Sequence, residues 1–279
     1  MSNSSLSGDT VVIAIPNSKP VVTRRRTFRG AAALLGLAVL ALWSLGSLSG
    51  LLNPRLYPTP WSIAEAVPRQ LVSESFWSAF SATLATWLIA VGLVIVLGTI
   101  IGTLIGSSTL VYQLSRFVIE FLRPIPSVAI LPLILLLLGP TDETKIILAV
   151  YAGFWPMLIQ TIYGIRSADP VLIDTAKSFG LSRFQVARRV VLPSSLPYLA
   201  TGLRISSALA LVLTVTVEII IGVQGLGREI FINQSAAAVP DMYVLIIVTG
   251  LLGLGINELF RLLEKKALSW HQSQRTGRG

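Results

Sequence analysis

The sequence predicts an all-α membrane protein of about six transmembrane helices, and three observations carry that prediction. Of 279 residues, 53% are hydrophobic and only 13% charged, and the mean hydropathy is +0.75; a soluble domain of this length carries about twice that charge fraction. Several apolar runs reach the roughly 20 residues that an α-helix needs to cross a hydrocarbon core about 30 Å thick. The formal net charge of +9 is concentrated in particular loops, as it is where basic residues set membrane orientation.

Each span can be justified in chain order. Gly30 to Leu52 is uncharged and follows Arg24, Arg25, Arg26 and Arg29. It is too long for a secretory signal peptide and lacks the small-residue cleavage pattern, so it reads as a first span entered from the cytoplasm. The segment "NPRLYPTPWSIAEAVPRQLVSES" reads as an external loop with a short interfacial helix, where Tyr57 and Trp61 suit the headgroup zone. No charge occurs from Ser75 to Ser115, which predicts one long tilted helix from about Phe76 to Ser107. "PIPSVAILPLILLLLGP" is the third span; its Pro124, Pro126 and Pro132 free carbonyls that only neighbouring helices or a water-lined path can satisfy. "IILAVYAGFWPMLIQTIYGI" is the fourth, and Leu196 to Gly222 and Met242 to Leu263 are the fifth and sixth.

Charge placement orients this drawing. With the N-terminus inside, the cytoplasmic side receives the N-terminal arginines, Arg116, Arg123, the basic loop after the fourth span, Lys265, Lys266, Arg275 and Arg278. The outer loops keep Arg55, Arg69, Lys145 and Arg228, set against Glu65, Glu74, Asp142, Glu143, Glu229 and Asp241. The inverted topology would violate the positive-inside rule. Without an aromatic-interleaved basic patch, no nucleic-acid partner is expected; membrane lipid is. The expected organisation is a basic cytoplasmic tail over 1–29, a transmembrane domain over 30–263 and a basic cytoplasmic tail over 264–279, in a multi-pass plasma (inner) membrane protein.

The largest cytoplasmic loop, 169–193, spells two short helices. Asp169 is a good N-cap with Pro170 at the first helical position, and Leu172, Ala176 and Phe179 fall at i, i+4 and i+7. Gly180 sits where a helix ends in the left-handed conformation. Ser182 and Gln185 form a capping box for a second helix that Pro193 is expected to close. Two readings fit such a pair: a docking element, or an amphipathic connector held on the headgroups by Arg183, Arg188 and Arg189.

The order "DTAKSFGLSRFQVARRVVLPSSLP" resembles the cytoplasmic "EAA" loop of ABC-importer permeases. That pattern has an acidic residue, two small residues, a glycine four positions later and an apolar-Leu-Pro ending, positions held by Asp174, Thr175, Ala176, Gly180, Leu192 and Pro193. Asp174 and Thr175 replace the commonest Glu-Ala. "PIPSVAILPLILLLLGP", "LPSSLPYLATGLRISSALAL", "VEI" around Glu218 and "GLGREI" are similar, in order, to segments of the nitrate, sulfonate and taurine branch. "LLLLGPTDETKI" departs from that branch, lacking the tryptophan and phenylalanine often found before its glycine. The resemblance covers roughly Ser75 to Leu263. It implies a permease paired with a second copy of itself, two ATP-hydrolysing subunits and a soluble substrate-binding protein. It further implies that Leu172, Asp174, Thr175, Ala176, Phe179, Gly180, Leu181 and Phe184 form the ATPase-docking coupling loop. ATP and Mg would be used by the partner, and no cofactor is expected on this chain. The cargo implied is a small anion such as nitrate, a sulfonate, taurine or bicarbonate.

The catalytic and metal chemistries are absent from the sequence. There is no Gly-Lys dipeptide, hence no phosphate-binding Walker loop, and no Ser/His/Asp or HExxH constellation for a membrane hydrolase. Cysteine is absent and His271 is the single histidine, so no thiolate or histidine metal site is expected. Glu218 is the one carboxylate flanked by apolar residues on both sides, a placement that demands a partner or an aqueous cavity. It is expected either to bond a neighbouring helix or, with Phe154 and Trp155, to line a translocation path. Gly98, Gly102 and Gly106 recur every four residues, a row that lets helices pack closely. An ion-driven secondary transporter is the rival reading; it would want internal repeats and several intramembrane acids, and one strong acidic candidate is present.

Overall fold

The computed structural model describes residues 25–51, 53 and 56–267, and within those ranges side chains are described between Leu34 and Lys266. Arg24, Arg55, His271, Arg275 and Arg278, and the side chains of Arg25, Arg26 and Arg29, lie outside the described residues. Among those described there are helices and no strand. They are α1 (Arg25–Leu48), α2 (Pro60–Val72), α3 (Glu74–Ser107), α4 (Thr109–Leu122), α5 (Leu131–Leu138), α6 (Asp142–Arg166), α7 (Pro170–Ser178), α8 (Arg183–Val186), α9 (Leu192–Ile221), α10 (Leu226–Ser235) and α11 (Val239–Ala267).

The core is a three-helix sandwich with α6 in the middle. The predicted glycine row of α3 is where α6 lies against it: a Cβ on Gly98 would fall 2.7 Å from Met157 Cγ, on Gly102 2.6 Å from Thr161 Cβ, and on Gly106 3.0 Å from Ile165 Cβ. The contacts advance in step along both helices, so α3 and α6 run parallel. On the other flank, a Cβ on Gly164 would fall 2.9 Å from Ser195 Cβ and one on Gly202 2.9 Å from Gln160 Cβ, which seats α9 antiparallel on α6. Such near-backbone contact is how helices associate where lipid removes the hydrophobic drive. Trp87, Ala90, Val91, Ala149, Ala210, Leu211, Val215 and Ile256 fill the middle of the bundle, and the Trp87 indole donates to Ser207 O at 3.0 Å.

The bundle has two chemically different ends. One carries the C-terminus of α3, the start of α4, and α7 and α8; the other carries α2, the starts of α3 and α6, and α10. At the second end, Leu226 and Ile230 of α10 pack on Phe76, Ala79 and Leu245. There α2 lies on α11 through Ile63, Ala66 and Val244, with Arg69 3.5 Å from Asp241. Trp61 on α2 is exposed, as expected for an interfacial helix. Among the described residues, four helices are long and apolar enough to cross a bilayer, or five if the bent pair formed by α4 and α5 counts as one span, and α1 adds the shorter apolar stretch Leu34–Leu48.

Three expectations are corrected. The third span is shorter than the stretch from Pro124 to Pro140 and is joined to a helix the sequence did not mark off: Ser127–Ile130 form a 3-10 turn, α5 is only eight residues, and together they meet α4 at 80°. Pro124 and Pro126 have no N–H to continue the hydrogen-bond ladder, so the helix breaks between Leu122 and Ser127 even though Arg123 keeps right-handed dihedrals. Pro193 does not close the second loop helix. Ala187–Val191 widen into a π-helical turn, with Leu192 N donating to Ala187 O, and Pro193 sits in the first turn of α9; the wider turn accommodates the missing proline N–H and its ring. Finally, Lys145 belongs not to an outer loop but to the first turn of α6, where it is completely buried.

Candidate functional site

Two places combine polar chemistry with a defined geometry, one at each end of the bundle. The first is the α7–α8 pair. Asp169 caps α7 by accepting from Val171 N at 2.8 Å. At the other end Gly180 N donates to Lys177 O at 2.8 Å and Leu181 N to Ala176 O at 3.1 Å, the paired bonds of a Schellman motif. Gly180 has φ +77°, a conformation that costs a residue with a Cβ. Ser182 then makes both bonds of the capping box with Gln185. The chain from Arg183 to Ile221 is helical throughout its 39 residues, so α8 and α9 form one lever.

Of the loop residues singled out by sequence, Leu172, Asp174, Thr175, Phe179, Gly180 and Phe184 are exposed, and Ala176 and Leu181 are half-buried. Phe179 is 79% exposed and Phe184 74%, which leaves large apolar side chains uncovered at an end rich in arginine. Asp174 is paired with Lys177 at 3.0 Å, on the surface.

The second place is a buried ion pair at the opposite end. Glu218 of α9 and Lys145 of α6 are both fully buried, 3.4 Å apart. Thr83 of α3 donates to the carboxylate, 3.0 Å from Oε1 and 2.9 Å from Oε2, and accepts from Leu226 N at 2.8 Å. Gly227 N donates to Oε2 at 3.0 Å. The ammonium also reaches Gln224 O at 2.8 Å and Asp142 Oδ1 at 3.1 Å, so its three donors all have acceptors. The chain passes directly over this cluster: a Cβ on Gly225 would land on the carboxylate of Glu218, and one on Gly227 would meet Val215 O. The network therefore ties the turn between α9 and α10 to α3 and α6.

Of this cluster, sequence alone singles out Glu218. Lys145 escapes sequence reasoning because three charges crowd the start of α6, and its burial depends on α9 crossing there. Thr83 carries no signal among the apolar residues of α3. Arg204, on α9, pairs with Glu264 of α11 at 3.2 Å. Phe154 and Trp155 are half-buried and lie edge-to-face at 5.2 Å, beside Ile105, Leu158 and Ile162; they do not meet Glu218.

The fold is an all-helical membrane bundle with an exposed helix pair at one end, and comparison with known proteins identifies its class. Residues 94–268 match the family described as "Binding-protein-dependent transport system inner membrane component". The chain belongs to this family: it is a multi-pass inner-membrane permease subunit of an ABC importer. It is 30% identical over 249 residues to the taurine transport system permease protein TauC of Escherichia coli (strain K12), covering 85% of this chain and 88% of that one. It is 29% identical to the nitrate import permease protein NrtB of Synechocystis sp. (strain ATCC 27184 / PCC 6803 / Kazusa), over 61% of this chain and 62% of that one. Its fold matches the crystal structure of a bacterial ABC transporter involved in the import of the acidic polysaccharide alginate, with a TM-score of 0.60, 18% identity, and coverage of 87% of this chain and 97% of that chain.

Proposed function

We propose that this permease imports a small oxyanion, a sulfonate such as taurine or a nitrate-like ion, delivered by an external binding protein and driven by ATP hydrolysis on separate subunits. Similarity to permeases named for taurine and nitrate supports the cargo class. The working unit is two copies of this chain with two ATPase subunits, which bind the Mg and ATP. Six spans over 30–263, with both basic tails, 1–29 and 264–279, in the cytoplasm, belong to the same reading. The loop 169–193 is the coupling element. The observation that carries this reading is the exposed apolar surface of Leu172, Phe179 and Phe184 on a helix pair whose second helix is continuous with α9. Uncovered apolar surface of this kind marks a contact site, and a rigid helical lever converts closure of the ATPases into movement of the bundle.

The polar ring around Glu218 supports a structural role at the external face, holding the turn before α10 in place. A solute could reach the carboxylate only by displacing that turn, because the side chain is 0% exposed. The decisive experiment is purification of the tagged chain in mild detergent, with identification of what accompanies it, in parallel with Gly180→Val. An ATPase that copurifies with the wild type, together with ATP hydrolysis that no longer drives taurine or nitrate uptake in the variant, is the expected result. Repeated recovery of the wild-type chain without any ATPase, or unchanged uptake in Gly180→Val, would overturn the coupling assignment.

A further inference from the structure

A cleft of about 360 Å³ opens between α4 and α6, lined by Tyr112, Arg116, Glu120, Arg123, Ile159 and Tyr163 among others. It is unlike the rest of the bundle. The polar positions Tyr112, Arg116, Glu120 and Arg123 follow one face of α4, while Leu114, Phe117 and Phe121 hold the opposite face, all strongly exposed. The amphipathic helix therefore turns its charges toward α6 and its apolar side away.

The cleft reaches far into the membrane. Tyr151 hydroxyl donates to Leu122 O at 3.0 Å, which places the residue before Arg123 beside the middle of α6. By helical rise, Tyr151 stands roughly 14 Å from the start of α6 and roughly 22 Å from its end, inside a hydrocarbon core of about 30 Å, which corrects the expectation from sequence that Arg123 belongs to the cytoplasmic surface. The charges at this depth do not cancel. Arg116 and Glu120 neutralise each other at 2.7 Å, whereas the Arg123 guanidinium has no hydrogen-bond or ion-pair partner among the described residues. At the mouth, Arg166 lies over the Tyr112 ring at 4.3 Å. A lone guanidinium at membrane depth requires water or a counter-ion, and its planar donors match the oxygens of a sulfonate, nitrate or phosphate.

We propose that the α4–α6 cleft is an oxyanion-binding site in which Arg123, assisted by Arg116, holds one singly charged group: a free sulfonate or nitrate, or the phosphate of an anionic lipid. One such charge balances Arg123. In the free-anion form the proposal deepens the import reading above, on which that form rests, by placing a cargo site within the permease itself. The two tyrosine hydroxyls lining the cleft can add neutral hydrogen bonds, which suits an anion that must bind and leave.

The test uses the detergent-extracted importer reconstituted in phosphatidylcholine nanodiscs without nucleotide. Sodium ethanesulfonate and sodium nitrate are titrated calorimetrically. A parallel preparation with phosphatidylglycerol is examined by native mass spectrometry for retained lipid. Wild type is expected to bind one of these groups saturably. Arg123→Gln should weaken that binding by about tenfold or more, Arg123→Lys, which keeps the charge but not the planar donors, should weaken it by less, and Arg228→Gln, at the other end of the bundle, should leave it unchanged. Loss of ethanesulfonate or nitrate binding in Arg123→Gln assigns the site to a free anion; loss of retained phosphatidylglycerol alone assigns it to lipid. Absence of both from wild type, or undiminished binding in Arg116→Gln/Arg123→Gln, overturns the site. The assay needs neither ATP nor transport, so failure of the import reading shows separately, as absent ATP-driven uptake in sealed vesicles.

Discussion

Among single residues, Glu218 and Lys145 dominate. Two opposite charges removed from water are costly unless every donor and acceptor is satisfied, and here Thr83, Gly227, Gln224 and Asp142 supply the remaining partners. Glu218→Gln removes one of the two carboxylates that hold the buried Lys145 ammonium, leaving it Asp142 alone, and is expected to destabilise the protein by about 1–3 kcal/mol, read as a lowered midpoint in detergent thermal unfolding. Pairing that change with Lys145→Met removes the under-compensated charge and should recover most of the loss. A double variant no more stable than the single one would mean that the pair does not govern stability. Gly225→Ala tests the same cluster from the backbone side. Its methyl group would overlap the Glu218 carboxylate, so the turn before α10 must move, and protease cleavage near α10 should accelerate relative to wild type.

At the level of elements, the loop and the glycine row make separate predictions. Gly180→Ala places a Cβ on a residue at φ +77° and should cost roughly 1 kcal/mol. The space around it is open, so the effect falls on loop geometry rather than packing, and folding of the bundle should be retained while uptake falls. Gly102→Leu acts in the opposite way. The added side chain would collide with Thr161 and separate α3 from α6, which is expected to abolish recovery of folded protein; a well-folded Gly102→Leu variant would contradict the parallel α3–α6 packing. The two glycines carry different signals. Gly180 is legible from capping grammar local to the loop, because Asp169, Ser182 and Gln185 bond backbone groups within three residues. The partner of the glycine row is not, because nothing in α3 says which helix approaches it. The same distinction explains Pro193: a proline marks a break in principle, but the π-helical turn absorbs it and keeps α8 and α9 as one lever.

For the molecule as a whole, orientation is the testable property. The chain has no cysteine, so single introduced thiols report cleanly. Ser178→Cys on α7 and Ser235→Cys on α10 lie at opposite ends of the bundle, and both positions are exposed. With α7 cytoplasmic, a membrane-impermeant maleimide should label Ser235→Cys in intact cells and Ser178→Cys only after permeabilisation. The reverse pattern would invert the topology and remove the α7–α8 pair from reach of any cytoplasmic ATPase.

Composition and local pattern are enough to establish the helical membrane class, the long α3, the capped α7–α8 pair and the family resemblance. Each of these rests on periodicity, charge content or bonds within a few residues of chain. Two further outcomes emerge only when the helices are assembled: Lys145 leaves the surface to meet Glu218, and α4 turns Arg123 into a cleft beside α6. They depend on which helix crosses which, and at what depth. Close packing between distant segments settles that, as where Thr83 meets Leu226 across 143 residues of chain, and no local pattern encodes it.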